Sequence, residues 1–401
     1  MALPAGLRAF QHRDFRFFWS GQLVSLVGTW MQSVGQAWIV LELTHSPFKL
    51  GVISALQFGP MLFLSLLAGA LADRVRKRRF LMLTQGALML QALALAALDW
   101  SGQIQYWHVC VLALVYGIAN TLDLPARQSF VVELVGKGDL MNAIALNATV
   151  FNGARIVGPA VAGLLIARYG VAPAFLVNGL SFLGVLVALA AIRNEGAPRP
   201  REAATVGQEI LQGLRYATSS SLVGLILALL FVISLFVLNF NVLVPLVARD
   251  ALHEGARGFG LLMASLGVGA VGGAIALASM NRTRPPMALI LTAALVTSAG
   301  VFSLSAVRHF WVAAAVLAVA GFTQIVFMAS CNTTIQVTAP DHLRGRVMSL
   351  YALVFVGTHP FGALLIGGLA EQWGVGSACL WGGGLGFLTV SALALVWRHR
   401  V

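Results

Sequence analysis

Long apolar segments recur along the whole chain and are separated by short polar ones. Each apolar segment has about 20 residues, the length that an α-helix needs to cross the hydrocarbon core of a bilayer. The pattern therefore predicts an all-α integral membrane protein with twelve transmembrane helices. Continuous apolar runs exclude an outer-membrane barrel, whose strands would alternate. The predicted spans are 17–41, 49–72, 80–98, 107–128, 143–167, 171–192, 223–247, 258–280, 287–306, 309–332, 347–369 and 377–397.

A polar segment separates the sixth and seventh predicted spans. It is rich in Pro, Arg and Glu, and we interpret it as a cytoplasmic linker with a short surface helix around 206–216. The second half also repeats the order of features of the first half. Segments 123–170 and 332–374 each contain a polar helix end, a charged loop and a span with Gly and Pro. The predicted domains are a six-helix bundle at 1–192, the linker at 193–221 and a second six-helix bundle at 222–401.

Composition and charge narrow the class further. Of 401 residues, 59% are hydrophobic and 10% are charged, and the mean hydropathy is +0.86. A net charge of +12 would suggest a nucleic-acid partner in a soluble protein. Here 20 of the 26 Lys and Arg residues lie in the two tails and the even-numbered loops, counting Arg127 at the end of the fourth span, and five lie in the odd-numbered loops. This bias predicts cytoplasmic termini, a multi-pass protein of a bacterial inner membrane, and no nucleic-acid partner.

Five cations in six positions follow the second predicted span, in the segment GALADRVRKRRFL at 69–81. The simplest interpretation is a cytoplasmic loop that orients two helices by charge. The segment also resembles the loop between helices 2 and 3 of the major facilitator superfamily, although Arg76 stands where many members have glycine. In that family the loop is a conformational latch between the two halves of a transporter. The resemblance implies this role for Gly69, Asp73, Arg74, Lys77 and Arg78, with Arg127 as a partner.

Three further motifs extend the resemblance over nearly the whole chain. DLPARQSF at 123–130, ARIVGPAVAGLL at 154–165 and LRGRVMSLY at 343–351 resemble the exporter branch that includes macrolide-efflux and enterobactin-export proteins. The resemblance implies two pseudo-symmetric six-helix bundles with a substrate site near the midplane between them. It also implies export of a small amphipathic compound, of drug or siderophore type, by alternating access. Small residues of the fifth span are expected to let helices of the two halves touch, namely Gly158, Pro159 and Gly163.

Polar side chains at helical spacing within a span indicate either a wet cavity or a packed helix interface. The first span carries five of them at a spacing of three or four, including Gln32 and Gln36. We interpret these two as substrate-binding residues, and the alternative is hydrogen bonding between helices. The same hypothesis covers polar or adaptable residues of the fourth and tenth spans, namely Tyr116, Asn120, Gln324 and Met328.

Ionisable residues inside predicted spans are candidates for coupling and binding because charge is costly in hydrocarbon. Asp123 lies near the cytoplasmic end of the fourth span, and the family resemblance implies an ion-pair cluster of Asp123, Asp73 and Arg127. Arg155, near the centre of the fifth span, would cost at least about 2.5 kcal/mol if unpaired. It is interpreted as a binding site for an anionic substrate group, and bracing against polar partners is the alternative.

Three ionisable residues are candidates for proton coupling. Asp123 is the first of them. His359 precedes a proline in the eleventh span, and an imidazole changes charge near neutral pH. Glu42 lies at the outer end of the first span. The alternatives are a structural ion pair for the aspartate and a neutral, hydrogen-bonded ring at a kink for the histidine.

Several signatures of other classes are absent from the sequence. It contains no GxxxxGK[ST] phosphate loop and no HExxH motif, and its three cysteines have no metal-binding spacing. We therefore predict a protein that is not an enzyme, has no cofactor or metal, and uses a proton gradient as its energy source. Its expected partners are a small-molecule substrate and the bilayer, and it is expected to work as a monomer. The alternatives are an importer or lipid flippase of the same fold, or a membrane sensor that does not transport.

Overall fold

A computed structural model describes residues 5–198, 214–280 and 284–398, and in these ranges the protein is helical and contains no strand. This confirms the predicted all-α class. A 3-10 helix at Ala5–Gln11 precedes the first α-helix. The α-helices are α1 (Arg13–Thr44), α2 (Pro47–Arg74), α3 (Lys77–Trp100), α4 (Tyr106–Tyr169), α5 (Ala172–Ala191), α6 (Ser221–Phe236), α7 (Phe240–Leu246), α8 (Ala256–Ser279), α9 (Met287–Ser303), α10 (Phe310–Thr338), α11 (Asp341–Gly357) and α12 (His359–Arg398).

Helical residues cover most of each predicted span, but some helices are longer or shorter than one span. The fourth and fifth spans both lie in α4, which bends at Gly136, and α12 bends at Gly374. The seventh span is divided among α6, α7 and a π-helical segment at Val247–Ala251. Among the described residues, eight segments are long and apolar enough to cross a membrane. The number twelve therefore stays a prediction.

The chain forms two compact units. Unit 1 contains Met1–Leu43 and Phe63–Glu202, and unit 2 contains Thr44–Leu62 and Ala203–Val401. The division falls within α2 as well as near the predicted linker, and the predicted domain boundaries stay a prediction. Most of the predicted surface helix around 206–216 lies outside the described residues, although 214–219 are helical.

Glycines allow close helix packing in unit 1. A Cβ added to Gly28 of α1 would lie 2.6 Å from Ser181 Oγ of α5. A Cβ added to Gly158 of α4 would lie 2.9 Å from the carbonyl oxygen of Val27 in α1. The glycine of the fifth predicted span thus has its close contact inside unit 1, whereas the resemblance implied a contact between the two halves. Its neighbours Pro159 and Gly163 are buried.

Backbone contacts through glycine also organise unit 2. A Cβ on Gly269 of α8 would overlap the backbone carbonyl of Ala318, and one on Gly321 of α10 would overlap that of Leu266. Such contacts bring helix backbones together where lipid supplies no hydrophobic driving force.

The first part of α2 packs against α12 in unit 2. The carboxylate oxygen Oε2 of Glu371 accepts hydrogen bonds from Ser46 Oγ at 2.8 Å and from the backbone N–H of Phe48 at 3.2 Å. This carboxylate therefore caps the N-terminus of α2, where backbone N–H groups have no partner in the helix.

Candidate functional site

A buried acid lies at the centre of a polar network in unit 1. Asp123 of α4 is 0% exposed, and Arg127 Nη2, one turn later, lies 2.7 Å from its Oδ2. Thr84 Oγ1 and Gln85 Nε2 of α3 each donate a hydrogen bond of 2.8 Å to its Oδ1. A carboxylate with this many partners can stay charged in the interior, since the ion pair and hydrogen bonds offset its lost hydration.

The network continues from the guanidinium to α1. Arg127 Nη1 donates a hydrogen bond of 3.0 Å to Gln22 Oε1. The acid and base therefore join α1, α3 and α4 through a single chain of contacts. Within the described ranges Asp123 is the acid paired with Arg127, so the ion pair and Gln22 form one connected hydrogen-bond network.

The third member of the predicted ion-pair cluster is not part of this network. Asp73 lies partly buried near the end of α2, and within the described ranges it forms no ion pair or hydrogen bond with Asp123 or Arg127. The structure thus brings together two of the three predicted residues.

A second buried ion pair lies at the start of α3. Lys77 is 1% exposed, and its Nζ lies 2.9 Å from Glu133 Oε1 and donates a hydrogen bond of 2.9 Å to the carbonyl oxygen of Ala197. Lys77 was predicted as a loop cation and a latch residue, and Glu133, which falls between predicted spans, was not predicted. The only signal for Glu133 was a lone acid shortly before Gly136, where α4 bends.

The cations of this loop hold the residues that follow α5, 192–197, here called the linker start. Arg78 Nη1 donates to the carbonyl oxygen of Ile192 at 2.7 Å, and Arg76 Nη1 lies 2.8 Å from Glu195 Oε2. The backbone N–H groups of Lys77 and Arg78 bond to the carbonyl oxygens of Gly196 and Glu195 at 3.2 and 3.1 Å. The other predicted latch residues differ: Arg74 is exposed, and a Cβ on Gly69 would meet open space.

The glutamines of α1 lie in the interior of unit 1. Gln32 is 2% exposed, its Nε2 donates to Gln91 Oε1 of α3 at 3.0 Å, and its Oε1 accepts from Asn178 Nδ2 of α5 at 2.6 Å. Gln36 is also buried. For Gln32 this geometry corresponds to hydrogen bonding between helices, the alternative to an open cavity wall. Gln91 and Asn178 were missed because their spans have no polar stripe as long as that of the first span.

Arg155 lies against aromatic residues of unit 1. Its guanidinium carbon is 5.8 Å from the ring centroid of Trp30, and that indole packs edge-on against Phe151 at 5.9 Å. A guanidinium over an aromatic face gains a cation–π interaction that partly replaces hydration. Tyr116 and Asn120 of α4 are each partly buried, and Tyr116 packs beside the buried residues Leu88, Ala92, Ala119 and Phe182.

Glu42 lies on the last turn of α1. Trp38 Nε1, one turn earlier, donates a hydrogen bond of 2.6 Å to its Oε1. Asp99 of α3 is its charged neighbour. Two acids and an indole donor thus lie near the ends of α1 and α3.

Three of the predicted residues of unit 2 lie near a row of aromatic rings. The His359 ring stacks on Phe58 at 5.4 Å and meets Phe355 edge-on at 5.5 Å. Tyr351 stacks on Phe355 at 6.4 Å, and its hydroxyl donates to the carbonyl oxygen of Met328 at 3.3 Å. Gln324 Nε2 lies 3.9 Å from the Met328 sulfur. In the described part of the chain, no group of three or more His, Cys, Asp or Glu could hold a metal.

Comparisons with known proteins agree with this architecture. The family described as "Transmembrane secretion effector" matches residues 5–401. The multidrug efflux pump Tap of Mycolicibacterium fortuitum is 28% identical over 364 residues, covering 88% of each chain. The enterobactin exporter EntS of Salmonella typhi is 27% identical over 395 residues, covering 97% of this chain and 94% of the relative. The staphyloferrin A transporter of Staphylococcus aureus is 24% identical over 381 residues, covering 90% of each.

Solved structures resemble the fold at low sequence identity. A POT family transporter in complex with 5-aminolevulinic acid aligns with a TM-score of 0.78 at 10% identity, covering 97% of this chain and 96% of the other. The nucleoside transporter NupG aligns with a TM-score of 0.78 at 9% identity, covering 96% of this chain and 99% of the other. At this identity the likeness concerns the fold alone.

Proposed function

Because the chain belongs to the transmembrane secretion effector family of the major facilitator superfamily, we propose that it exports a small amphipathic compound of the drug or siderophore type. The relatives that support this proposal include a multidrug efflux pump and an enterobactin exporter, and each matches the chain over most of its length. We further propose that the protein lies in a bacterial inner membrane with both termini in the cytoplasm. It works there as a monomer, by alternating access and without a catalytic step or cofactor.

The buried carboxylate of Asp123 is the observation that supports a proton gradient as the energy source. An ionisable residue fully buried in a membrane helix is energetically expensive and is by default a candidate functional residue, and the role proposed for Asp123 is proton coupling. Protonation would remove the counter-charge of Arg127, and the guanidinium would then need a new partner among Gln22, water or substrate. Proton binding would in this way loosen the contacts that join α1, α3 and α4, and the proton gradient would drive export.

We propose the substrate contacts from the chemistry of the side chains. Arg155 beside Trp30 offers a cation next to an aromatic face, which suits an anionic or aromatic group on the compound. In unit 2, Gln324 and Met328 offer an amide and an adaptable thioether. Tyr116, Asn120 and Gln36 complete the proposed set, while Glu42 and His359 stay secondary candidates for proton transfer.

The test uses inverted membrane vesicles with an imposed proton gradient that is acidic inside. Accumulation of drug and siderophore candidates would be measured for the wild type, Asp123→Asn and Asp139→Asn. The second variant is a matched control, since Asp139 also pairs with a base, His12 at 2.8 Å, but lies outside the predicted spans. We expect uncoupler-sensitive accumulation in the wild type and the control, and at least a tenfold loss in Asp123→Asn.

Other results would contradict parts of the proposal. Accumulation that persists in Asp123→Asn would remove this residue from coupling. Uptake only into vesicles of the opposite orientation would indicate an importer, and lipid scrambling without compound uptake would indicate a flippase. Saturable binding without any movement would indicate a sensor. Arg155→Ala should raise the KM for anionic compounds and leave the dependence on the gradient unchanged.

A further inference from the structure

A helix break lies deep inside unit 2. Helix α6 ends at Phe236 and α7 begins at Phe240, and the three residues between them are 0%, 4% and 3% exposed: Val237, Leu238 and Asn239. The backbone N–H groups of Val237 and Leu238 both bond to the carbonyl oxygen of Ile233, at 2.9 and 3.0 Å. Irregular backbone at this depth of a membrane protein requires partners for the freed polar groups.

The break contains an oxygen atom without a donor. Asn239 Nδ2 donates to the carbonyl oxygen of Leu235 at 2.8 Å, and this bond fixes the orientation of the amide. Its Oδ1 is buried and has no hydrogen-bond partner in the described part of the protein. Ser234, 0% exposed and five residues earlier, has a hydroxyl in the same situation.

Backbone oxygens add to this set. The carbonyl groups of Val237 and Leu238 accept none of the loop and cap hydrogen bonds formed among the described residues. Helix α12 closes over the break at Gly362, where an added Cβ would lie 2.7 Å from Asn239 Oδ1 and 2.5 Å from the Leu235 carbonyl oxygen. The facing helix thus presents backbone here and places no side chain over the amide.

The chemistry of these groups selects a kind of ligand. Asn239 Oδ1 and the backbone carbonyl oxygens are neutral groups that accept hydrogen bonds and cannot donate them, so their missing partner carries positive charge or donates hydrogen bonds. Ca²⁺ and Mg²⁺ sites normally include carboxylates, whereas carbonyl oxygens at unwound helix segments in transporters suit Na⁺. Because the candidate ligands are neutral oxygens, they favour a monovalent cation over a divalent one.

We propose that the break between α6 and α7 is a sodium-binding site, with Asn239 Oδ1 as its essential side-chain ligand and backbone carbonyl oxygens of the break as further ligands. The site lies in unit 2, apart from the Asp123 network of unit 1. It does not depend on the proposed export, and it is tested without transport.

The test measures ²²Na⁺ binding and thermal unfolding of the full-length protein in detergent. Sodium chloride would replace choline chloride at constant ionic strength. A ligand that binds only the folded state raises Tm in a saturable way, and we expect a rise of roughly 2–4 °C at saturation. Asn239→Leu should lose at least tenfold in ²²Na⁺ affinity, and Asn239→Asp should gain affinity because it adds a negative charge beside the ion.

Two comparisons keep the result interpretable. Thr334→Val removes another buried side-chain oxygen of unit 2, one that donates to the Ser330 carbonyl at 2.8 Å, and it should retain sodium binding. Asn239→Asp has nearly the shape of the wild-type residue, so it remains informative if Asn239→Leu does not fold. Equal Tm in sodium and choline, or identical ²²Na⁺ binding in the wild type and both Asn239 variants, would overturn the proposal and leave an ordered water as the partner.

Discussion

The buried pair of Lys77 and Glu133 gives the sharpest stability prediction. Their side chains are 2% and 10% exposed, so replacing Lys77 by Met leaves a nearly buried carboxylate without its counter-charge. The Ala197 carbonyl also loses its donor. Removal of one partner of a buried ion pair typically costs about 3–5 kcal/mol, and we expect Lys77→Met to lie in this range. Replacing both partners, as in Lys77→Met with Glu133→Leu, should recover most of that loss because no unpaired charge remains.

The neighbouring pair of Arg76 and Glu195 is a matched control. Its N···O distance is 2.8 Å, close to that of the buried pair, but its side chains are 53% and 47% exposed. An exposed ion pair contributes about 0–1 kcal/mol, so Arg76→Met should have a small effect. The cations of the two pairs are neighbours in the chain and their N···O distances are nearly equal, so the pairs differ mainly in the burial of their side chains.

The measurement is a double-mutant cycle on the free energy of unfolding. Tryptophan fluorescence of the purified protein would follow reversible unfolding in mixed micelles, for the wild type, both single variants at Lys77 and Glu133, and the double variant. A loss below about 1 kcal/mol for Lys77→Met, equal to that of Arg76→Met, would refute the claim that burial makes this pair matter.

Three further predictions concern packing and hydrogen bonding. Gly269→Ala should destabilise the protein by at least about 1–3 kcal/mol because the new Cβ overlaps a carbonyl of α10. Gly59→Ala is the control, since its Cβ meets open space, and it should be neutral or stabilising. Equal melting temperatures of the two variants would contradict this prediction. Gly196→Ala should cost about 1–2 kcal/mol for its left-handed backbone alone, at φ +70°, and should speed tryptic cleavage at Arg193; unchanged proteolysis would mean that the linker start is not held there. Gln32→Leu leaves two buried amide partners unsatisfied and should cost about 1–3 kcal/mol by the same unfolding assay, and an effect near zero would place its side chain in water.

Hydropathy was sufficient to predict the fold class and the positions of the helices. An apolar run of about 20 residues has few alternatives in a chain of this composition. The pattern did not predict that two spans join in one helix that bends at Gly136, or that α6 and α7 are separated by three buried residues, two of which are apolar. Helix continuity depends on backbone geometry, and hydropathy carries little information about it.

Spacing within one helix predicted one part of the candidate site and missed others. Asp123 and Arg127 are four residues apart, and this local rule was sufficient to pair them. The partners on other helices, such as Thr84, Gln91 and Glu133, depend on which helices are neighbours and at what depth. Periodicity identifies a polar face of α1, but only packing shows that Gln32 meets α3 and α5.

The cap that Glu371 forms on α2 has a consequence for biogenesis. Ser46 and Glu371 are separated by 325 residues, so the hydrogen bond between them cannot form until nearly the whole chain has left the ribosome. At about 5–20 residues per second, the wait is roughly 15–65 s. During that time the early helix is already made, while the carboxylate that completes its first turn has yet to be translated. The folded state that contains this cap therefore has a minimum maturation time, set by the distance in sequence between these two residues.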